Sequence, residues 1–279
     1  MMVVDKGLSD ADLVSLRWAY QHLEHPSFAA RLSNLIGTPI EQGLKLLPTH
    51  WYRRLDSLAE RIILRWLNSV IRSMEHIAPA PSHDRLHPLL AAASGRIGGF
   101  LGPVTLLAEL PVTTGLMLRS IADIAHSEGE QLHQLEARIA CMQVFALGGR
   151  SGEDKASETG YYGLRLTLGF HFSGQLLELG KGTSVHNLPG GIELARAIAS
   201  RFGVVVSDSA AAKIIPLAGA VSGALVNLAF MQHFQDIARA HFIVRRLERS
   251  YGPEPVRAAY ELLEREEASA RHYNPLEGW

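Results

Sequence analysis

The chain has 279 residues and a mass of 30.6 kDa, enough for one large domain or two small ones. Hydrophobic residues supply 47 % of it and charged residues only 20 %, which excludes disorder over most of the length. A formal net charge of −1 offers no concentrated positive face and argues against nucleic acid as a partner.

The periodicity is helical from end to end. Ser9 is placed to cap a first helix, with Asp12 three residues on. Leu13, Leu16, Tyr20 and Leu23 form its apolar face, and Pro26 ends it. A short helix from Ser27 to Ile36 stops at Gly37. Thr38, Pro39 and Glu41 make a helix start: a cap, a proline at the first helical position and a carboxylate at the third. Asp56 to Ile77 is the clearest amphipathic helix. Leu58, Ile62, Ile63, Trp66, Val70 and Met74 are spaced along it, and Arg61, Arg65 and Arg72 fall elsewhere on its circumference. Pro79 and Pro81 open an internal loop, 79–88.

Ile97 to Leu118 carries one formal charge, Glu109. Gly95, Gly98, Gly99, Gly102 and Pro103 argue for a turn or close packing at its start, and Pro111 is expected to kink or restart the helix. Arg119 to Ala125 continues helically until Gly129. His133 to Leu147 is the next helix, closed by Gly148 and Gly149. Arg150 to Lys155 reads as a loop, Ala156 to Leu179 as a glycine-dotted helix, and Gly191 to Phe202 as a short one. Gly203 to Ser207 is an isolated β-branched run, too short to imply a sheet. Ile214 to Gln235 then carries no formal charge and is bounded by Lys213 and Asp236. It has the length of a membrane span, which needs roughly 20 residues, but Pro216, Gly219, Gly223 and Asn227 interrupt it. Helices from Ala238 to Ser250 and from Glu254 to Ala268 follow, and 270–279 reads as a loose tail.

The expected fold is all-α. It is a multi-helix bundle of about ten helices around the central hydrophobic, small-residue-rich helix, forming one domain over 1–279 with its core at about 13–263. Gly219 and Gly223, like Ala220 and Ala224, stand four apart and permit close helix contact in a membrane or in a soluble core. Three states are open for this segment: a buried packing helix, reversible membrane association, and a true span. Arg239, Arg245, Arg246 and Arg249 behind it suit anionic headgroups, or equally an ordinary solvated helix face. The single cysteine and an N-terminus without a signal-like apolar run suggest the cytoplasm, with peripheral association at the inner membrane.

A search for chemistry returns little. HExxH is absent. His83 and His87 stand four apart but beside prolines, where a solvated loop is the better reading. His126, Glu130 and His133 are separated by Gly129, and His171 and His186 have no evident partners. No metal or cofactor is expected. Gly180 to Thr183 departs from a phosphate-binding loop, and no strand precedes it or the glycines at 95–102. Ser151 lacks the GxSxG spacing. Cys141 lies on an apolar helical face and reads as a buried structural thiol. Glu109 and Asn227 are the informative polar residues, because each stands in a long apolar setting where an unpaired polar group is costly to bury. Arg119, Asp123 and Arg239 are candidate partners. The five are expected to form a buried polar network that fixes helices, lines a binding or catalytic pocket, or faces solvent.

Three ordered clusters carry a resemblance. The first is Glu109, Pro111, Gly115, Leu118, Arg119, Ile121, Ala122, Ile124, Ala125 and Gly129. The second is Pro216, Gly219, Gly223, Ala224, Asn227, Phe230, Ala238 and Arg239. The third is Arg246, Glu248, Tyr251, Gly252, Val256 and Tyr260. Together with Pro26, Asn34, Gly37, Pro39, Glu41 and Pro48, they resemble the EcsC protein family of bacteria from about Leu13 to Leu263. That family is named for a gene neighbour of an ABC transporter and has no assigned reaction. The resemblance implies a helical fold and membrane-proximal work, and supplies no site. The expected function is a non-enzymatic helical scaffold or binding protein at the cytoplasmic membrane face, with the membrane surface or a membrane protein complex as partner. The alternative is a lipid- or small-molecule-binding protein or hydrolytic enzyme with a pocket around Glu109 and Asn227. Whether the chain is an enzyme stays open at this point, as does its oligomeric state.

Overall fold

The computed structural model describes residues 7–25, 28–37, 39–72, 103–149, 160–170, 185, 190–214 and 219–273. Among them are ten α-helices: α1 (Asp10–Glu24), α2 (Phe28–Ile36), α3 (Ile40–Leu46), α4 (Thr49–Arg72), α5 (Pro103–Ser127), α6 (Leu135–Gly148), α7 (Tyr161–Phe170), α8 (Gly191–Ile214), α9 (Gly219–Tyr251) and α10 (Pro253–Tyr273). The all-α bundle is as the periodicity predicts. The loop at 79–88, with His83 and His87, lies outside the described residues, as do the glycines at 95–102, Ser151, His171, Gly180 to Thr183, His186 and the last six residues.

Local chemistry accounts for several helix ends. Ser9 Oγ accepts from the Asp12 amide at 3.2 Å and caps α1. Leu16, Ala19, Tyr20 and Leu23 are buried on its inner face, while Leu13, placed on that face by periodicity, is 41 % exposed. Helix α3 begins at Ile40 with Pro39 as its cap residue, so the proline sits one position earlier than expected. Helix α4 begins at Thr49, seven residues ahead of Asp56, and Tyr52 steadies that turn by donating to the Leu44 carbonyl at 2.8 Å.

Three elements run longer than the sequence suggests. Helix α5 passes unbroken through Pro111. Proline removes one backbone donor and strains the preceding turn, and burial of Leu110, Met117, Leu118 and Ile121 around it outweighs that cost. Helix α8 continues through the run at 203–207. Valine loses a few tenths of a kcal/mol of helix propensity, but Val205 and Val206 are 1 % and 0 % exposed, a gain of roughly 2 kcal/mol each. The uncharged stretch from Ile214 to Gln235 is not one element. Ile214 closes α8, and α9 starts at Gly219 and continues past Asp236 and Arg239 to Tyr251, because no glycine or proline interrupts it after Gly223. Gly252, at φ +90°, then ends it, its amide donating to the Glu248 carbonyl at 2.9 Å.

Helices α8 and α9 form the middle of the bundle. Helix α9 packs on α1, α2, α5, α6, α8 and α10, and α8 packs on α2, α3, α4, α5, α6 and α9. Phe145 of α6, Phe202 of α8 and Phe230 and Phe234 of α9 join them, with ring centroids 5.2–6.0 Å apart. Two glycines let neighbours reach the α8 backbone. A Cβ at Gly43 of α3 would collide with the Ala211 carbonyl, and one at Gly149, just after α6, with the Arg201 carbonyl. Among the described residues, no helix is long and apolar enough to cross a membrane.

Candidate functional site

Helices α5 and α9 lie side by side and run in the same direction, as their polar contacts show. Asn227 Nδ2 donates to Glu109 Oε2 at 3.4 Å, Gln235 Nε2 to Ser120 Oγ at 2.7 Å, and Arg246 Nε to Glu128 Oε2 at 2.9 Å. Residue numbers rise together along both helices. The result is a polar seam that threads an otherwise apolar interface.

At its upper rung, Lys213 from the last turn of α8 joins Glu109, Nζ to Oε2 at 2.8 Å. The lysine side chain is 2 % exposed and the glutamate 12 %, and Asn227 is 4 % exposed. Glu109 therefore neutralises the one lysine near it and accepts from the asparagine. At the middle rung, Ser120 and Gln235 satisfy each other within the core.

The lower rung is ionic. Glu130 is 6 % exposed. It receives Arg245 Nε at 2.7 Å and Nη2 at 3.2 Å, together with a close contact from Arg249. Burial favours the neutral carboxyl, but the Arg245 hydrogen bonds and the two guanidinium charges overcome it and hold Glu130 below the usual carboxylate range. The same pairing raises Arg245 against the effect of its own burial. Arg246 also reaches Asp12 of α1 at 3.3 Å, and Tyr251 donates to Asp12 at 2.7 Å. Those bonds, Tyr251 first, lower the Asp12 carboxyl.

The sequence candidates distribute along this seam. Glu109 and Asn227 meet. Asp123 lies fourteen residues further along α5, about 21 Å at 1.5 Å per residue, so it shares no rung with Glu109. The register set by the neighbouring contacts places it level with Arg239 of α9. Asp123 is 7 % exposed and Arg239 half-buried, and neither is free. Arg119 points to solvent. The sequence marked Lys213 only as the edge of an uncharged run and so missed it as the partner of Glu109.

A second polar cluster was not foreseen. Tyr161 of α7 and His241 of α9 are both fully buried, with the tyrosine oxygen 2.9 Å from Nδ1. Arg165 donates to that same oxygen at 3.4 Å, and the tyrosine–histidine bond runs in either direction according to the imidazole tautomer. Nε2 has no hydrogen-bond partner among the described residues. Burial first, then the charges of Arg165 and Arg245, depress His241 well below the usual histidine range. Burial pushes the Tyr161 hydroxyl up to about 12. Glu248 clasps Arg165 through two contacts of 2.7 and 2.8 Å and accepts from Tyr162 at 3.2 Å. Outside this pair, Tyr162, Arg165, Leu166, Glu248, Glu254 and Arg257 line a cleft of about 480 Å³.

Neither cluster presents an activated nucleophile. The Tyr161–His241 pair is sealed from solvent. Cys141 is fully buried and its thiol is raised to about 12, first by desolvation and then by the Glu130 charge, so the thiolate is scarce at neutral pH. His126 and His133 are exposed, and Glu130 between them is committed to arginine. Among the described residues, no three histidine, cysteine or acidic side chains converge on a point that would hold a metal ion. What the arrangement does is join helices: the upper and middle rungs tie α5 to α9, the upper one adding α8, and the lower ties the turn after α5 to α9 and α1.

A model of a known protein family matches residues 69–247, well over half of the chain, and takes in the seam from Glu109 to Arg246 but not Asp12, Arg249 or Tyr251. Comparison with the curated proteins and with the solved structures finds no match.

Proposed function

Because the chain belongs to the EcsC protein family, whose biochemical function is unknown, we propose that it is a non-enzymatic helical scaffold or binding protein. Its place is the cytoplasmic face of a membrane, and its partner is the membrane surface or a membrane protein complex. One observation carries the scaffold reading. The buried ionisable groups of the seam are consumed by one another, Glu109 by Lys213 and Glu130 by Arg245 and Arg249. Residues that fix helices behave this way, whereas a catalytic carboxylate needs a face open to substrate. The membrane reading draws on the family and on the unpaired cations of the outer surface described below.

Fractionation of cells expressing the full chain tests it. The protein should sediment with membranes at low ionic strength and leave them in high salt, because screening shortens the reach of surface charge from about 30 Å at 0.01 M to about 3 Å at 1 M. A protein wholly in the soluble fraction at low salt, in cells and with added anionic vesicles, would overturn the membrane placement.

A further inference from the structure

The outward stripe of α4 is cationic and unpaired. His50, Arg53, Arg54, Arg61 and Arg65 follow one another at helical spacing, over about 22 Å of axis. His50, Arg53, Arg54 and Arg61, with Ser57 and Leu58, line a surface groove of about 770 Å³, with no acidic residue among the described residues of its wall. The acids of the same stretch face elsewhere: Asp56 lies against Gly203 of α8, and Glu60 accepts from Arg196 of α8 at 3.2 Å.

Most arginines of the described helices are ion-paired, among them Arg17, Arg31, Arg165, Arg196, Arg245, Arg246 and Arg257. Among the described residues, Arg53, Arg54, Arg61 and Arg65 are not. Arg54 rests 5.9 Å from the Trp51 ring, and Arg61 caps back onto the Ser57 carbonyl at 3.1 Å. Arg53 and Arg54 fall in the second turn of α4, whose first turn has no acid to offset them. Leu46, 58 % exposed, ends α3 three residues before α4 begins, and the half-buried Trp51 ring lies against Arg54 of the groove wall. Apolar side chains of this kind suit the headgroup region of a bilayer.

We propose that this face of α4 docks on an anionic lipid surface, with the arginines on headgroup phosphates and Trp51 and Leu46 at the boundary. The inference rests on the membrane placement above and specifies which surface does the binding.

Flotation of the full chain with phosphatidylcholine–phosphatidylglycerol vesicles, against pure phosphatidylcholine vesicles, tests it with two triple variants. One is Arg53→Gln/Arg54→Gln/Arg61→Gln. The other removes the same charge elsewhere, as Arg17→Gln/Arg257→Gln/Arg265→Gln, and the helical signal in circular dichroism checks that both remain folded. Each arginine near such a surface contributes roughly fivefold in partitioning, so the α4 variant should lose at least tenfold and the control variant little. Wild type should float with the anionic vesicles alone. Equal flotation of the α4 variant and wild type would overturn the docking face while leaving membrane association standing. No flotation of wild type would overturn both. Heparin retention lost in the α4 variant, in a wild type that does not float, would reassign the groove to a soluble polyanion.

Discussion

Lys213, in the last turn of α8, places its ammonium 2.8 Å from the carboxylate of Glu109 on α5, with 2 % and 12 % of the two side chains exposed. The pair joins three helices over one polar contact, because Asn227 of α9 shares the same carboxylate oxygen. Ions so placed have lost most of their hydration and depend on each other.

Removing one member should therefore cost far more than removing both. Lys213→Met leaves a buried carboxylate and is expected to lower unfolding stability by about 3–5 kcal/mol. The double substitution Lys213→Met/Glu109→Leu should recover most of that loss, since two apolar groups of similar volume need no partner. Urea denaturation of the two variants measures the difference. Equal losses would mean the pair is hydrated in solution.

Stability should respond to pH in two opposed ways. Burial lowers His233 to about 4 and His241 well below its ordinary value. The unfolded chain takes up protons at these positions below about 6.5 and the folded one does not, so they destabilise the fold as pH falls from 6.5 towards 4. Asp208 behaves inversely. Burial, and then the charge of Glu41, raises its carboxyl to about 7. The folded form holds that proton between 3.8 and 7 while the unfolded form has released it, so Asp208 destabilises the fold increasingly as pH rises through that window. Asp208→Asn should gain roughly 2 kcal/mol more over wild type at pH 8 than at pH 5. His241→Phe should flatten the acid side below pH 6.5. Denaturant midpoints across pH 4.5 to 8 check both.

Gly43→Ala should destabilise although alanine is the better helix former. The substitution gains up to about 1 kcal/mol of propensity, but its Cβ meets the Ala211 backbone, which cannot rotate away. Overpacking of this kind costs typically 1–3 kcal/mol, so a net loss is expected. Gly169→Ala in α7 is the matched control: among the described residues nothing lies within 4 Å of its added Cβ, and it should be neutral or stabilising. Thermal unfolding of the two proteins separates the cases.

Much of the helix content was legible because apolar spacing, Ser9 and Gly37 act locally. The errors share a cause. Pro111 and the run from Gly203 to Ser207 are local signals against helix, and each is overridden by burial against partners distant in sequence. Glu109 and Asn227 could be singled out because a lone polar group in an apolar run needs a partner. Which partner it finds is a tertiary matter: Lys213 and Glu109 are 104 residues apart, and Tyr161 and His241 are 80. Of the α4 arginines, Arg61 and Arg65 could be placed off the apolar face, but Arg53 and Arg54 precede the helix start expected at Asp56, and the lack of ion pairs becomes evident only when the acids around them are seen to be engaged elsewhere.

The parallel course of α5 and α9 bears on the order of folding. Adjacent parallel helices require the chain to travel back along the bundle, and the seam closes loops of 118, 115 and 118 residues at Glu109, Ser120 and Glu128. Closing such loops has an entropic cost that local helix pairs avoid. The two helices must then lock in register after the α6–α8 segment has been brought between their ends. Seam residues should therefore govern how long the native state lasts more than how fast it is reached. In that sense the polar rungs act as a late latch on a bundle that has already collapsed.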